Sequence, residues 1–423
     1  MADLAVRSFC NKRRSTAYAY RGFKGTVIAK KIIIQAKGEL IIAGVLEEGR
    51  LVELYWHDPK RQRLEGNIYK GPVVDLLPGM NAAFVDIGTR KNAYLSLKDW
   101  SGPEISEGQE VVVQVVNEGN GQKGPRLTSQ ITVPGRYLVI TPFLEQVGLS
   151  KKIDDEAERN RLLAIAQKLS LLAPTIGLII RTAAEGMDEE ALVADFQSLL
   201  IQWQRLKEKA ENLTAPALLY QECLLTEMIL RDLVDDSVTE IDLNQSNLYE
   251  EMLCWAKDNH LCLQGRIKLF EGCDFFPLYN LCQQIEKALA PKVWLPNGGY
   301  LIIEKTEALT VVDVNTGRYK GAQNLSETVR RTNIEAAEEI AYQLRLRNIG
   351  GMVIIDFIDM IDEDHRQEVL TKLKEKLARD KVKTEVFGFT ALGLLEMTRK
   401  KTRESLASIF VDKDIRKEYH IDL

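Results

Sequence analysis

Histidine is scarce in this chain, with four residues in 423, at positions 57, 260, 365 and 420. So thin a scatter argues against a metal centre built on imidazole. Cysteine is little commoner: Cys10, Cys223, Cys254, Cys262, Cys273 and Cys282 include no CxxC pair and no zinc-like spacing. They read as reduced thiols of a cytoplasmic protein. Long apolar runs are missing too. Nothing approaches the roughly 20 residues that a bilayer-crossing helix needs, so no membrane span is expected. Basic excess is absent, the formal net charge being −5. That removes the simplest signature of nucleic-acid binding, but binding depends on local patches rather than on the sum. Such patches occur at Lys123/Arg126, Lys151/Lys152, Lys372 to Lys383 and Arg399 to Arg403, and each alone reads first as a solvated face. What remains is ordinary globular composition, 45% hydrophobic and 28% charged, over a length that suits two or three domains.

The most informative feature is a pair of apolar strands that each run into an aspartate, with one amphipathic helix between them. The first is Leu309-Thr310-Val311-Val312-Asp313-Val314-Asn315-Thr316-Gly317, the second Gly350 to Asp359 with Asp356 near its end. Strand, helix, strand predicts a right-handed βαβ unit with parallel strands. If the strands are neighbours, about 4.8 Å apart, Asp313 and Asp356 share one carboxyl edge of the sheet. Carboxylates that close repel unless a proton or cation lies between them, and a magnesium ion suits such a pair. Asn315 lies two residues past Asp313 and so on the same face, where its amide can orient a metal-bound water. The plainer reading of each aspartate is a turn former. Asp359 falls on the opposite face by alternation and reads as a helix cap or a group behind the ligands.

Elsewhere the pattern is mixed. Residues 32–55 read as a β-hairpin with a Glu-Glu-Gly turn. Residues 66–130 carry short strands between glycine turns, the spacing of a small five-stranded barrel. On pattern alone Phe84 reads as core; with Tyr94 it flanks the Gly88 turn, where an OB-type barrel displays base-stacking aromatics. Lys123 and Arg126 could take phosphates. Helices near 154–171 and 188–212 flank a strand that ends in Arg181-Thr182. That dipeptide can grip a phosphate, though alone it reads as a surface pair. Residues 229–290 read as mostly helical. In the helix between the aspartate strands, Asn324 and Glu327 suggest a capping box, with an apolar stripe from Leu325 to Leu344. A Lys- and Glu-rich helix follows to about residue 380, then a strand at 384–387.

Four blocks stand out: Glu307 to Arg318, Thr332 to Ala341 followed by Gln343-Leu344-Arg345-Leu346-Arg347, Gly350 to Met360, and Gly393-Leu394-Leu395-Glu396-Met397-Thr398-Arg399. Together they resemble the ribonuclease E/G family. The resemblance covers roughly residues 31 to 408. It implies an α/β, multidomain (α+β) catalytic half, with an S1-type OB-fold barrel inserted in an RNase H-like domain, a 5′-sensor domain and a DNase I-like α/β catalytic domain. The implied boundaries are a first RNase H-like segment 31–65, the S1-type RNA-binding domain 66–130, the 5′-sensor region 131–228, a second RNase H-like segment 229–290 and the catalytic domain 291–408.

The implied activity is magnesium-dependent endonucleolytic cleavage of single-stranded, AU-rich RNA, leaving 5′-phosphate and 3′-hydroxyl ends, in ribosomal RNA maturation and messenger decay. Asp313 and Asp356 would hold magnesium, or manganese in its place, and Asn315 the attacking water. Phe84, Tyr94 and Lys123 match RNA-contacting positions. Arg181, Thr182, Gly135 and Val139 match a 5′-monophosphate pocket, joined by Lys151 and Lys383 where the family pattern has arginine; lysine keeps charge and loses bidentate geometry. A homodimer is expected. The family's CPxC zinc link has no counterpart, because no cysteine follows Cys282. No zinc link is therefore expected in 409–423: either the member is zinc-free or the chain stops short of the usual terminus. Residues 1–30, basic with the single acid Asp3, stay unassigned among a targeting peptide, an RNA-contacting arm and a misplaced start or tag. The rival reading is a non-catalytic S1-type RNA-binding protein, against which the intact Asp313/Asn315/Asp356 set speaks.

Overall fold

Alternating apolar residues between tight turns build the first strands, β1 (Lys30–Lys37), β2 (Leu40–Glu47) and β3 (Arg50–His57). The expected hairpin is thus a three-stranded meander, because Gly38 also adopts a left-handed turn conformation. The computed structural model describes residues 29–421 apart from 61–62, 101, 103, 120–123, 223, 260, 262, 264, 318–324, 412 and 420. Lys123 and Asn324 therefore lie outside the described residues.

Next come β4 (Ile68–Leu77), β5 (Ala82–Val85), β6 (Ala93–Ser96), β7 (Glu110–Asn117) and β8 (Arg126–Thr128). They run in the order β4-β5-β6-β8-β7, and β4 also pairs with β7, which closes the five-stranded barrel the turn spacing anticipates. Ala83, Val85, Ala93, Leu95, Val113 and Leu127 fill it. The neighbouring four-stranded sheet has the order β11-β12-β10-β9, from β9 (Val133–Pro134), β10 (Leu138–Thr141), β11 (Val147–Leu149) and β12 (Gly177–Ile180). Helices α1 (Glu156–Leu172) and α2 (Glu189–Asn212) pack on it, and each starts at an aspartate, Asp155 or Asp188, whose carboxylate accepts from first-turn N–H groups. Strand β13 (Ala217–Tyr220) adds to β4 from outside the barrel. These elements form one compact unit, His57–Ser237 with Asn247–Gly265.

The second unit takes in Ile28–Trp56, Val238–Ser246 and Arg266–Leu423. Residues 229–290 are less helical than the sequence suggests. Besides α3 (Ser246–Asp258) and α4 (Leu281–Leu289) they supply β14 (Val238–Leu243) and β15 (Ile267–Leu269). Strand β14 lies parallel to β1, giving the sheet β15-β14-β1-β2-β3 from both flanks of the intervening chain. Four described residues past 409, Phe410, Ile415, Tyr419 and Ile421, join Phe275, Phe276 and Ile285 in one apolar core.

The last sheet has the order β16-β17-β18-β19-β21-β20. Its strands are β16 (Lys292–Trp294), β17 (Tyr300–Lys305), β18 (Leu309–Asn315), β19 (Gly351–Asp356), β20 (Thr384–Phe389) and β21 (Leu395–Arg399). Helix α5 (Leu325–Leu346) makes the crossover from β18 to β19, and α6 (Glu363–Leu377) follows. The apolar stripe of α5 (Val329, Ala336, Ala337, Ile340, Leu344) is buried together with Val312, Val314, Val353 and Ile355. At about 1.5–3 kcal/mol for each large aliphatic side chain, this burial fixes which face of the sheet is covered. The carboxylates lie on the other face. Asp359 does not cap a helix: α6 begins after Asp362, whose carboxylate accepts from the Asp364 N–H at 2.9 Å. Alternation stops at Asp356, so it says nothing about Asp359.

Candidate active site

Strands β18 and β19 run parallel with Asp313 and Asp356 as directly facing partners. Their neighbours Val312, Val314 and Ile355 are buried, so alternation turns both aspartates to the open face, where both are exposed. Asn315 stands on the same face and donates from Nδ2 to Asp313 Oδ2 at 2.8 Å. That bond leaves Asn315 Oδ1 turned away from Asp313 as an acceptor. The turn after Asn315 needs Gly317, at φ +63°; a Cβ there would stand 2.4 Å from the Gly298 carbonyl oxygen. On the β19 side, fully buried Asn333 of α5 pins the chain after Asp356: Nδ2 donates to the Ile358 carbonyl at 2.8 Å and Oδ1 accepts from the Ile358 N–H at 3.1 Å.

Two exposed carboxylates and an amide are hard oxygen donors. They suit a divalent ion that keeps several waters better than a closed protein cage. No group of three or more His, Cys, Asp and Glu converges among the described residues.

On the barrel, Phe84 and Tyr94 are facing partners on β5 and β6, their ring centroids 6.1 Å apart and edge-to-face. The inward positions beside them are Ala83, Val85, Ala93 and Leu95, so Phe84 belongs to the outer face and not to the core. Arg126 of β8 is the facing partner of Tyr94 and puts a mostly exposed guanidinium in the same row, 3.7 Å from the Asp99 carboxylate.

Arg181 and Thr182 sit where β12 ends. Arg181 donates to the Gly135 carbonyl and pairs with Asp232, while the Thr182 and Ser150 hydroxyls share a 2.8 Å hydrogen bond. Burial opposes ionisation of Asp232, but Arg231 and then Arg181 outweigh it and hold its carboxyl below the usual range. Gly135 admits no side chain, since a Cβ would lie 2.7 Å from the Asp195 carboxylate. That carboxylate accepts from the N–H groups of Arg136, Tyr137 and Leu138 at 3.2, 2.8 and 2.9 Å, and burial raises its pKa. Val139 is half-buried on β10 and faces Ile179, and Lys151 is exposed. Lys383 is exposed just before β20, in the second unit.

Residues 132–402 match the ribonuclease E/G family. The chain belongs to that family. It is 42% identical over 388 residues to ribonuclease G of Escherichia coli strain K12, covering 87% of this chain and 79% of the relative. Ribonuclease G of Haemophilus influenzae is 41% identical over 389 residues, with the same 87% and 79% coverage. Ribonuclease E of Nostoc is 39% identical over 402 residues, which is 90% of this chain and 57% of that longer protein.

Among residues of this ribonuclease E/G chain, sequence reasoning missed the ones that hold others. Asp232 and Asp195 support Arg181 and the Gly135 loop, and Asn333 fixes the segment after Asp356. Only Asn333 carried a signal, a polar residue inside an apolar helical stripe.

Proposed function

We propose that this ribonuclease E/G family member is an endoribonuclease that cuts single-stranded RNA at the open face of the last sheet. The observation that supports this best is the facing pair Asp313 and Asp356 with Asn315 bonded beside them. Asp313 and Asp356 would hold magnesium, or manganese in its place. Such an ion supplies a water of lowered pKa and charge compensation at the phosphate. Asn315 locks the Asp313 carboxylate through Nδ2 and presents Oδ1 to a proton of the attacking water. Asn333 and Gly317 keep both strand ends from shifting, which matters because small misplacement of reacting groups is costly in rate.

The finer reading follows the family. Substrates are AU-rich single-stranded segments in ribosomal RNA maturation and messenger decay, cut to leave 5′-phosphate and 3′-hydroxyl ends. Phe84 and Tyr94, with Lys123, hold bases and backbone on the S1-type barrel. Arg181, Thr182, Gly135, Val139 and Lys151 receive a 5′-monophosphate, a role that the resemblance alone extends to Lys383. The protein works in the cytoplasm as a homodimer, the domain limits being those implied by the resemblance. No helix among the described residues is long and apolar enough to cross a membrane. Cleavage of a 5′-monophosphorylated oligonucleotide with and without magnesium tests the reading, and binding without cleavage would favour the S1-type binding protein instead.

A further inference from the structure

The open face that carries the carboxylates is uneven in character. Counting across the strands, Asn315 faces Tyr300, and Tyr300 faces Trp294 on the edge strand β16. Val293, Leu301 and Val314 alternate with these three and are buried, so the row Trp294–Tyr300–Asn315 stands on the open face. Trp294 is 63% exposed. Its ring lies 5.4 Å from that of Tyr300 at 64°, and Lys292 Nζ sits 4.1 Å from the first ring centre and 3.7 Å from the second. On the other side of Asp313 and Asp356 the next row is acidic at both ends, with exposed Glu304 and Glu396. An RNA strand crossing that row would set phosphates against carboxylates. The aromatic row offers the opposite, two ring faces and an ammonium group.

We infer that Trp294 and Tyr300 form a base-stacking subsite for RNA beside the carboxylate pair, with Lys292 taking the adjoining phosphate. The occupant is a nucleobase of the single-stranded substrate near the scissile phosphate. Trp294 stands two strand spacings, about 10 Å, from Asn315. Every base has a π-face, so the subsite fixes the strand's path without reading sequence. The inference rests on the carboxylate reading of the site.

The test uses the full chain, magnesium, and a set of single-stranded oligonucleotides each with one abasic position. Trp294→Ala should lower kcat/KM about five- to a hundredfold, chiefly through KM, and Trp294→Phe should keep most of the activity. One abasic position should cost the wild type a similar factor and cost Trp294→Ala nothing further. Affinity for the same oligonucleotides in the Asp313→Asn background should repeat that position-specific pattern, and it reports the subsite whether or not the chain cleaves. Failure of the wild type to cleave would sink the catalytic reading, and the affinity pattern would then decide this inference by itself. Equal abasic penalties in wild type and Trp294→Ala at every position would overturn it. So would a loss in Trp294→Ala that tracks dissociation of an oligomer in light scattering, since the face would then be a contact between copies.

Discussion

Phe84 illustrates how a side chain's role depends on which neighbours alternate with it. Its sequence context reads as core, yet Ala83 and Val85 take the interior and Phe84 meets Tyr94 outside. Alanine at either aromatic should weaken single-stranded RNA binding by about 1–3 kcal/mol, measured by titration with a labelled oligonucleotide. Unfolding of the barrel in Phe84→Ala with affinity unchanged would return the residue to the core. Arg181 is held differently, between the Gly135 carbonyl and Asp232. Arg181→Gln should slow cleavage of 5′-monophosphorylated oligonucleotides and spare 5′-hydroxyl ones; equal losses would make it a general support. The sequence pointed to Arg181 and Thr182 but not to Asp232 or Asp195. A carboxylate that steadies an arginine about fifty positions away leaves no local pattern.

At the scale of elements, the crossover from β18 through α5 to β19 was legible because its periodicities are strong and local. The stripe of α5 and the two apolar strands each state their own geometry. Strands β14 and β15 were not legible. Each is short and pairs in parallel with residues far away, β14 with β1, so only the assembled sheet satisfies its backbone. The end of β19 shows a third case, where a loop is fixed by a helix. Asn333→Ala removes both hydrogen bonds to Ile358 and leaves that backbone unpaired beside the core. It should cost about 1–3 kcal/mol in urea unfolding and lower cleavage more than RNA affinity. Unchanged cleavage would show that the segment after Asp356 needs no such pin.

For the whole molecule, the second unit is joined by a buried ion cluster that no sequence pattern announced. Arg345 of α5 reaches Glu53 at 2.6 Å and Glu47 at 2.9 Å, and the Tyr55 hydroxyl also donates to Glu53. Burial alone would raise the Glu53 pKa, but Arg345 and Arg403 outweigh it and hold the carboxyl below its ordinary 4.5. Such a group stabilises the fold fully above about 4.5, and the contribution is lost as pH falls through the lower folded value. Glu53→Gln should therefore destabilise by about 3–5 kcal/mol at neutral pH, and the gap to wild type should narrow in acid. A gap independent of pH would show that packing, not charge, carries the effect. The packing of Phe410 and Tyr419 was equally hidden, because charged neighbours mask four apolar positions whose core includes residues more than a hundred positions earlier, such as Phe275 and Phe276.

The central claim is that Asp313 and Asp356 act together as the metal-holding pair of a ribonuclease. The most direct measurement is cleavage of a single-stranded oligonucleotide across a magnesium titration by the wild type, Asp313→Asn, Asp356→Asn and the double variant. Both residues are exposed, so each variant should keep its stability within about 0.5 kcal/mol. Each single change should cut the rate at least about a hundredfold with RNA affinity retained, and the double should be little worse than either single. Cleavage within about threefold of wild type at low magnesium, in either single variant, would contradict the account.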